Sequence, residues 1–316
     1  MRVQHNFTVS AEFKEKTLAY FLKNVLTDRS WSQIKDMIRA GGVTVEGKRR
    51  MKSDFRLKGD EKISVDFTRY QERGAPSDKG NVKLEQLPIE IVYLDAQVVV
   101  INKPAGITTV RHPYEIAEYG DKERFLPDTV AQRLPRIIER YEGKKRRPGT
   151  AVPVKAVHRL DKETSGLLVF ARTDKAASSL GKQFRAHTVV RKYSAIVVGD
   201  IESQTIKTWI ARDRGDGMRG SQKAGDGKMA VTHVTVTEKL RGYTLVECIL
   251  ETGRTHQIRI HLAETGHPIC GESVYTRQFK QHHLEDTSGA KMLMLHAGLL
   301  GFIHPTTQRY MEYNVH

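Results

Sequence analysis

The run Gly166-Leu167-Leu168-Val169-Phe170-Ala171 carries no polar side chain. A strand can be apolar on both faces only where its sheet is covered on both sides, so this run predicts a buried strand. The polar segment His158 to Ser165 leads into it. Beyond it, Thr173 or Asp174 can cap a helix whose Ala177, Leu180 and Phe184 share one face. Other strands are legible nearby. LPIEIVYLDAQVVVINKPAG holds two apolar runs with β-branched residues, the second leaving into a loop at Lys103-Pro104-Ala105-Gly106. In FRAHTVVRKYSAIVVGDI, Ala195, Val197 and Gly199 alternate after Tyr193. A helical pattern spans Thr129 to Tyr141 through Val130, Leu134, Ile137 and Ile138, with Asp128 as its expected N-cap and a kink expected at Pro135.

The N-terminal residues follow another rhythm. Leu18, Phe21, Leu22, Val25 and Leu26 recur at helical spacing, and Trp31, Ile34, Met37 and Ile38 form a second stripe that stops at Gly41-Gly42. Val43 and Val45, then Ile63, Val65 and Phe67, alternate with polar neighbours. The reading is a small domain over residues 1–68, two helices followed by short strands. Residues 69–85, with Gly, Pro and Ser and little apolar periodicity, read as a linker to a second domain over 86–316.

Lys and Arg number 52 against 37 Asp and Glu, a formal charge of +15 with a pI of about 9.7. Such a surplus favours a polyanionic partner, either nucleic acid or an anionic membrane surface. MRVQHNFTVS lacks the apolar core of a signal peptide, and the apolar runs around Val98 to Ile101 and Met292 to Ile303 fall short of a membrane span. The expectation is a cytoplasmic protein with no membrane partner. Cys248 and Cys270 sit beside apolar residues in no metal-ligand spacing and read as buried thiols.

Candidate chemistry gathers in two segments. In AVHRLDKETSG, Asp161 lies near His158 and Arg159, and Thr164, Ser165 and Gly166 can fix the loop backbone. Two readings stand: a catalytic carboxylate, or an acidic turn residue paired with Arg159. In LETGRTHQIRIHLAETGHPICGE, Thr252-Gly253 opens an expected helix in which Ile258 and Leu262 pack, while His256 and Arg259 share another face from which Arg259 reaches a cleft. His256, His261 and His267 have neither an H-E-x-x-H spacing nor cysteine partners, so no metal is expected. Tyr193 is either core or a platform on which a base stacks. No phosphate-loop or dinucleotide fingerprint occurs, so no nucleotide cofactor is expected. Gly215 to Gly227 is glycine-rich, but it follows no convincing strand and is interleaved with Arg and Lys. It reads as a basic loop or as disorder rather than the cofactor loop of a methyltransferase. Lys144-Lys145-Arg146-Arg147 reads as another exposed basic loop.

The run His158-Arg159-Leu160-Asp161-Lys162-Glu163-Thr164-Ser165-Gly166 resembles the H-R-L-D-x-x-T-S-G signature of the RluA-type pseudouridine synthases. Asn102-Lys103-Pro104-Ala105-Gly106, Arg191-Lys192-Tyr193-Ser194-Ala195, Gly227-Lys228-Met229-Ala230-Val231-Thr232 and Thr252-Gly253-Arg254-Thr255-His256-Gln257-Ile258-Arg259 support it in the family's order. The chain departs from the family at Tyr93-Leu94-Asp95-Ala96 and at Gly271-Glu272, both expected to lie away from the chemistry. DRSWSQIKDMIRAGGVTVEGKRRMKSDFRLKGDEKISV resembles the small RNA-binding domain first described in ribosomal protein S-four, with Lys35, Arg39, Lys48, Arg49, Arg50 and Lys52 as basic candidates.

The resemblance implies an α+β fold: a mixed, mainly antiparallel sheet with flanking helices, plus the small α/β N-terminal domain. It implies isomerisation of uridine to pseudouridine in RNA by a monomer, without cofactor or metal. Asp161 is then the catalytic carboxylate, Arg159 helps extrude the nucleotide, Tyr193 stacks on the base or relays a proton, Ile258 packs against Tyr193, and Arg259 orients Asp161. Large-subunit ribosomal RNA leads transfer RNA as the implied substrate, and a non-catalytic ribosome-assembly factor is the rival reading.

Overall fold

The computed structural model describes residues 4–26, 29, 31–67, 88–111, 127–143, 153–213, 218–275 and 285–315. The linker at 69–85 and the basic cluster at 144–147 lie outside them. Clustering of contacts gives two units, Met1–Asn81 with Trp209–Lys228 and Val82–Thr208 with Met229–His316.

In the first unit, helix α1 (Leu18–Val25) starts where the Thr17 hydroxyl accepts a hydrogen bond from the Tyr20 amide at 3.2 Å. Helix α2 (Trp31–Arg39) ends before Gly41, whose φ of +72° is the left-handed turn that glycine adopts without strain. Four strands, β1 (Gln4–Thr8), β2 (Val43–Val45), β3 (Lys48–Arg49) and β4 (Lys62–Asp66), form an antiparallel sheet in the order β1-β4-β2-β3. Leu18, Phe21 and Leu22 of α1, Ile34 and Ile38 of α2, and Val43, Ile63 and Val65 of the sheet share one buried cluster. The expected order, helices then strands, is corrected by β1, which precedes both helices and sets Phe7 opposite Ile63. A polar segment such as QHNFT becomes a strand through pairing with β4, a partner that local periodicity does not reveal.

The second unit is built on β5 (Glu90–Leu94), β6 (Val98–Lys103), β7 (Lys155–Ala156), β8 (Ser165–Ala171), β9 (Val190–Val198), β10 (Gln204–Ala211), β12 (Lys228–Leu240), β13 (Tyr243–Leu250), β14 (Leu295–Ile303) and β15 (Tyr310–Asn314). Its sheet runs β10-β12-β13-β9-β14-β8-β6-β5, with β15 on β14 and β7 on β8. From β12 through β13, β9 and β14, and from β8 through β6 to β5, the pairings are antiparallel, whereas β14 runs parallel to β8, with His296 and Ala297 against Ser165 and Gly166. Strand alternation divides the central apolar runs between two cores. Val99, Ile101, Leu168 and Phe170 enter one, and Val98, Val100, Leu167 and Val169 enter the other. Both faces of β8 are therefore covered, as its composition predicts.

Helices α3 (Val130–Glu142), α4 (Asp174–Arg185) and α5 (Gln257–Glu264) flank the sheet. The cap of α3 is Thr129, in place of the expected Asp128. Its hydroxyl accepts from the Gln132 amide while the Gln132 side chain accepts from the Thr129 amide, a reciprocal pairing that uses two otherwise orphaned donors. The helix continues through Pro135. The glycine-rich segment is also corrected: β10 precedes it, and Trp209–Ala211 pair with β11 (Gly220–Gln222). Residues 214–217 lie outside the described residues. Cys248 and Cys270 are buried free thiols, pushed up by burial to about 12 and about 11. Among the described residues no helix is long and apolar enough to cross a membrane.

Candidate active site

Asp161 sits on the loop that feeds β8, and the segment after β6 clamps that loop from both sides. The fully buried Lys103 ammonium donates to the carbonyls of Pro104 at 2.9 Å, Ile107 at 2.9 Å and Lys162 at 3.2 Å. Gly106 donates its amide to the same Lys162 carbonyl at 2.7 Å. On the other flank, the Thr109 hydroxyl donates to the Leu160 carbonyl at 2.8 Å and accepts from the Leu160 amide at 3.2 Å. Burial pushes Lys103 down to about 8, and Glu163 and Asp161 pull against that shift. At the loop's end, Gly166 has φ +112°, and a Cβ there would stand 2.4 Å from the Ala297 carbonyl oxygen. Only glycine allows β8 and β14 to pair at this point.

The facing wall is made from the turn after β13, helix α5 and the turn around Glu272. The Thr252 hydroxyl accepts from the Val231 amide at 3.0 Å and donates to the Gln257 side-chain carbonyl at 2.8 Å. The Gln257 amide donates in turn to the Val231 carbonyl and the Thr232 hydroxyl, both at 3.0 Å. These bonds hold residues 252–256 against β12 as a turn. The helix therefore begins at Gln257 rather than at the expected Thr252-Gly253, and His256 is its N-cap, with a left-handed φ of +60°. The histidine does not share a helix face with Arg259. Its Nδ1 lies 2.8 Å from the Tyr275 hydroxyl, and its Nε2 faces Asp161 Oδ1 at 3.9 Å. Burial lowers the His256 pKa while Asp161 pulls it back up.

Arg259 departs from expectation in its partner. Its Nε and Nη2 donate to the two carboxylate oxygens of Glu272 at 2.7 and 2.6 Å, and Nη1 lies 3.5 Å from Glu163. Both side chains of the Arg259–Glu272 pair are 1% exposed. Burial alone would raise the Glu272 pKa, but Arg259 and the amides of Val274 and Tyr275 hold it below the ordinary glutamate range. Glu272 was expected to stand away from the chemistry. It holds Arg259 instead, and it can do so because Gly271 (φ +78°) brings the chain past the Met292 carbonyl, where a Cβ would lie 2.1 Å from the oxygen.

Between the walls lies a cleft of about 510 Å³ lined by Asp161, Arg159, Tyr193, Ile258, Arg259 and His256 among others. All five residues expected to form the site are thus on one cavity. Arg159 is exposed, whereas Tyr193 is buried in mid-strand and its pKa is raised chiefly by burial. The sequence alone assigns no role to Lys103, His256, Glu272 or Tyr275, although Lys103 and His256 stand inside the motifs quoted above. Among the described residues no group of three or more His, Cys, Asp or Glu could hold a metal ion.

A basic chain with an acidic residue held in a cleft among arginines suits chemistry on a polyanion. Residues 97–264 match the family described as RNA pseudouridylate synthase. A Bacillus subtilis protein described as an uncharacterized RNA pseudouridine synthase is 35% identical over 98% of this chain and 93% of its own length. A Zymomonas mobilis protein named ribosomal large subunit pseudouridine synthase D is 34% identical over 93% of this chain and 87% of its own. The solved structure of human RNA pseudouridylate synthase domain containing 4 is 26% identical, with a TM-score of 0.52 over 72% of this chain and 88% of that one. The chain belongs to the RNA pseudouridine synthase family, in its RluA-type branch, whose members isomerise uridine to pseudouridine in RNA.

Proposed function

We propose that Asp161 is the carboxylate that reacts with a uridine flipped out of structured RNA, and that this RNA belongs to the large ribosomal subunit. The observation that carries the reading is the cleft, which Asp161, 18% exposed at its side chain, shares with Arg159, Tyr193, Ile258 and Arg259. Two routes are open to such a carboxylate: attack on the anomeric carbon, or removal of a sugar proton toward a glycal. Either breaks the glycosidic bond, after which the uracil turns, rejoins the ribose through carbon 5 and releases the proton held there.

Each neighbour has a task in this reaction. Arg159, at the exposed rim, helps keep the nucleotide out of its stack, since unstacking costs a few kcal/mol. Tyr193 and Ile258 give the base an aromatic and an aliphatic surface. Arg259 adds positive field beside Asp161 while its own geometry is set by Glu272. The reaction redistributes bonds within one nucleotide and draws on no cofactor. The name of the Zymomonas mobilis relative supports ribosomal RNA as the substrate. Residues 1–68 are, in this reading, an S-four-type RNA-binding domain, joined by a linker at 69–85 to a catalytic domain at 86–316. The self-contained core of the first unit and its exposed Lys48, Arg49 and Lys52 support that division.

Carbodiimide-dependent reverse-transcription stops, mapped in ribosomal RNA from cells with and without the gene, test the substrate. At least one stop is expected to vanish on deletion and to return with the wild-type gene but not with Asp161→Asn. A complete set of stops in the deletion strain overturns the ribosomal assignment, and full turnover by Asp161→Asn overturns the role of Asp161. Removing residues 1–68 is expected to weaken RNA binding more than it disturbs the cleft.

A further inference from the structure

Strand β9 sends Arg191, Tyr193 and Ala195 to one face and Lys192 and Ser194 to the other. Lys192 is paired there with Glu247 at 3.2 Å. Arg191 lines the cleft, and no ion pair reaches it among the described residues. Its guanidinium carbon stands 5.8 Å from the Phe184 ring centroid. Its Nη1 would be 3.1 Å from a Cβ at Gly253, so that glycine leaves the room the side chain occupies. Its Nε is buried without a hydrogen-bond partner.

The other buried cations of this unit are answered from within the protein: Arg259 by Glu272 at 2.6 Å, Arg172 by Glu142 at 2.7 Å, and Lys103 by three carbonyls. Nor does His158 supply an anion. Its ring stacks on Phe184 at 4.3 Å and its Nε2 accepts from the Val169 amide, with burial first and Arg191 second keeping it neutral at a pKa of about 3. A half-desolvated guanidinium left without a counter-charge is costly unless a ligand provides one. The ligand of this cleft is a polyanion, and the planar guanidinium fork matches two oxygens of a phosphate.

We propose that Arg191 binds one phosphodiester of the substrate RNA, at or beside the target nucleotide, and so fixes where the strand enters the cleft. The inference depends on the cleft being the catalytic centre. It gives Arg191 a binding role distinct from the base contacts of Tyr193, two residues away on the same face.

The test uses the full chain and ribosomal RNA from cells lacking the gene, labelled with tritium at uridine carbon 5, so that turnover releases tritium. Arg191→Gln is expected to raise KM about tenfold with kcat within about twofold. It should also flatten the slope of log affinity against log salt by about 0.7 to 0.9, the share of one phosphate contact. Arg191→Lys keeps the charge and should restore most of the slope, and matched circular dichroism of the variants checks their folding. Unchanged KM and slope in Arg191→Gln overturn the proposal. So does a fall in kcat at constant KM, which would assign Arg191 to the electrostatics of Tyr193. An equal loss of slope in Lys192→Gln, on the opposite face, also overturns it. The slope is measured as well by equilibrium binding of Asp161→Asn, with and without Arg191→Gln, to the same RNA. Normal Arg191-dependent binding without wild-type turnover would break the functional reading and leave this one standing.

Discussion

The two walls of the Asp161 cleft are held by different kinds of bond. On one, Lys103, Gly106 and Thr109 grip main-chain groups of Leu160 and Lys162, which are present whatever side chains those positions carry. On the other, Glu272 grips Arg259, Tyr275 meets His256, and Gln257 joins Thr252 to the Thr232 hydroxyl of β12, all through side chains. The first wall tolerates changes in what it holds and depends on what does the holding. The second depends on both partners of each contact. The carboxylate proposed to react is thus carried on a backbone clamp, while the charges facing it are set by matched pairs.

The largest expected effect lies at the proposed reacting group. Asp161→Asn should lower turnover by roughly 10⁴-fold or more with the melting temperature nearly unchanged, as measured by tritium release and calorimetry. A variant that melted early instead would make Asp161 part of its wall rather than its cargo. Next comes the paired wall. Glu272→Gln leaves Arg259 with only the more exposed Glu163 as counter-charge and should cost about 3 kcal/mol in denaturant unfolding, whereas Arg259→Met with Glu272→Leu should cost less than either single change. The Glu272 pKa is lowered on folding, so its stabilisation is present above the unfolded value of about 4.5 and lost as pH falls through the folded value. The acid limb of the stability profile should flatten in Glu272→Gln.

Lys103→Met tests the backbone clamp and should cost about 2 kcal/mol together with a loss of kcat. Burial lowers Lys103 from 10.5 to about 8, so between those values the unfolded chain binds the extra proton and stability rises with pH. Wild type minus Lys103→Met, measured by urea titration across that window, should therefore grow as pH increases. The smallest effect is expected from Tyr275→Phe, which removes one hydrogen bond to His256. A cost of about 1 kcal/mol and a loss of a few-fold in kcat would fit an aligning role, whereas an effect as large as that of Glu272→Gln would join the two contacts into one unit.

The same contrast explains what could be read from the sequence. Asp161, Arg159, Tyr193, Ile258 and Arg259 stand in contiguous motifs, and β8 and α4 announce themselves through apolar period and a Thr173 cap. Nothing in the sequence joins Glu272 to Arg259, because the pairing spans a turn and follows no spacing rule. Thr252-Gly253 looks like a helix start, since a threonine hydroxyl commonly caps one, but that hydroxyl is taken by Val231 and Gln257. Lys103 read as the end of a strand because a buried lysine bonded only to carbonyls leaves no mark in a charge pattern. Strand β1 is visible only once β4 is beside it.

The position of β14 also governs when the site can come into being. Asp161 precedes β8 and Tyr193 lies on β9, yet these strands are not neighbours, because β14 is inserted between them from near the C-terminus. As the chain leaves the ribosome, both halves of the cleft are made long before the strand that joins them. Contacts so distant in sequence form late, after the loop-closure entropy between them has been met. A chain that lacks β14 therefore lacks the strand that sets the Asp161 loop beside Tyr193. Without β14, the parts of the site are present but not their relation.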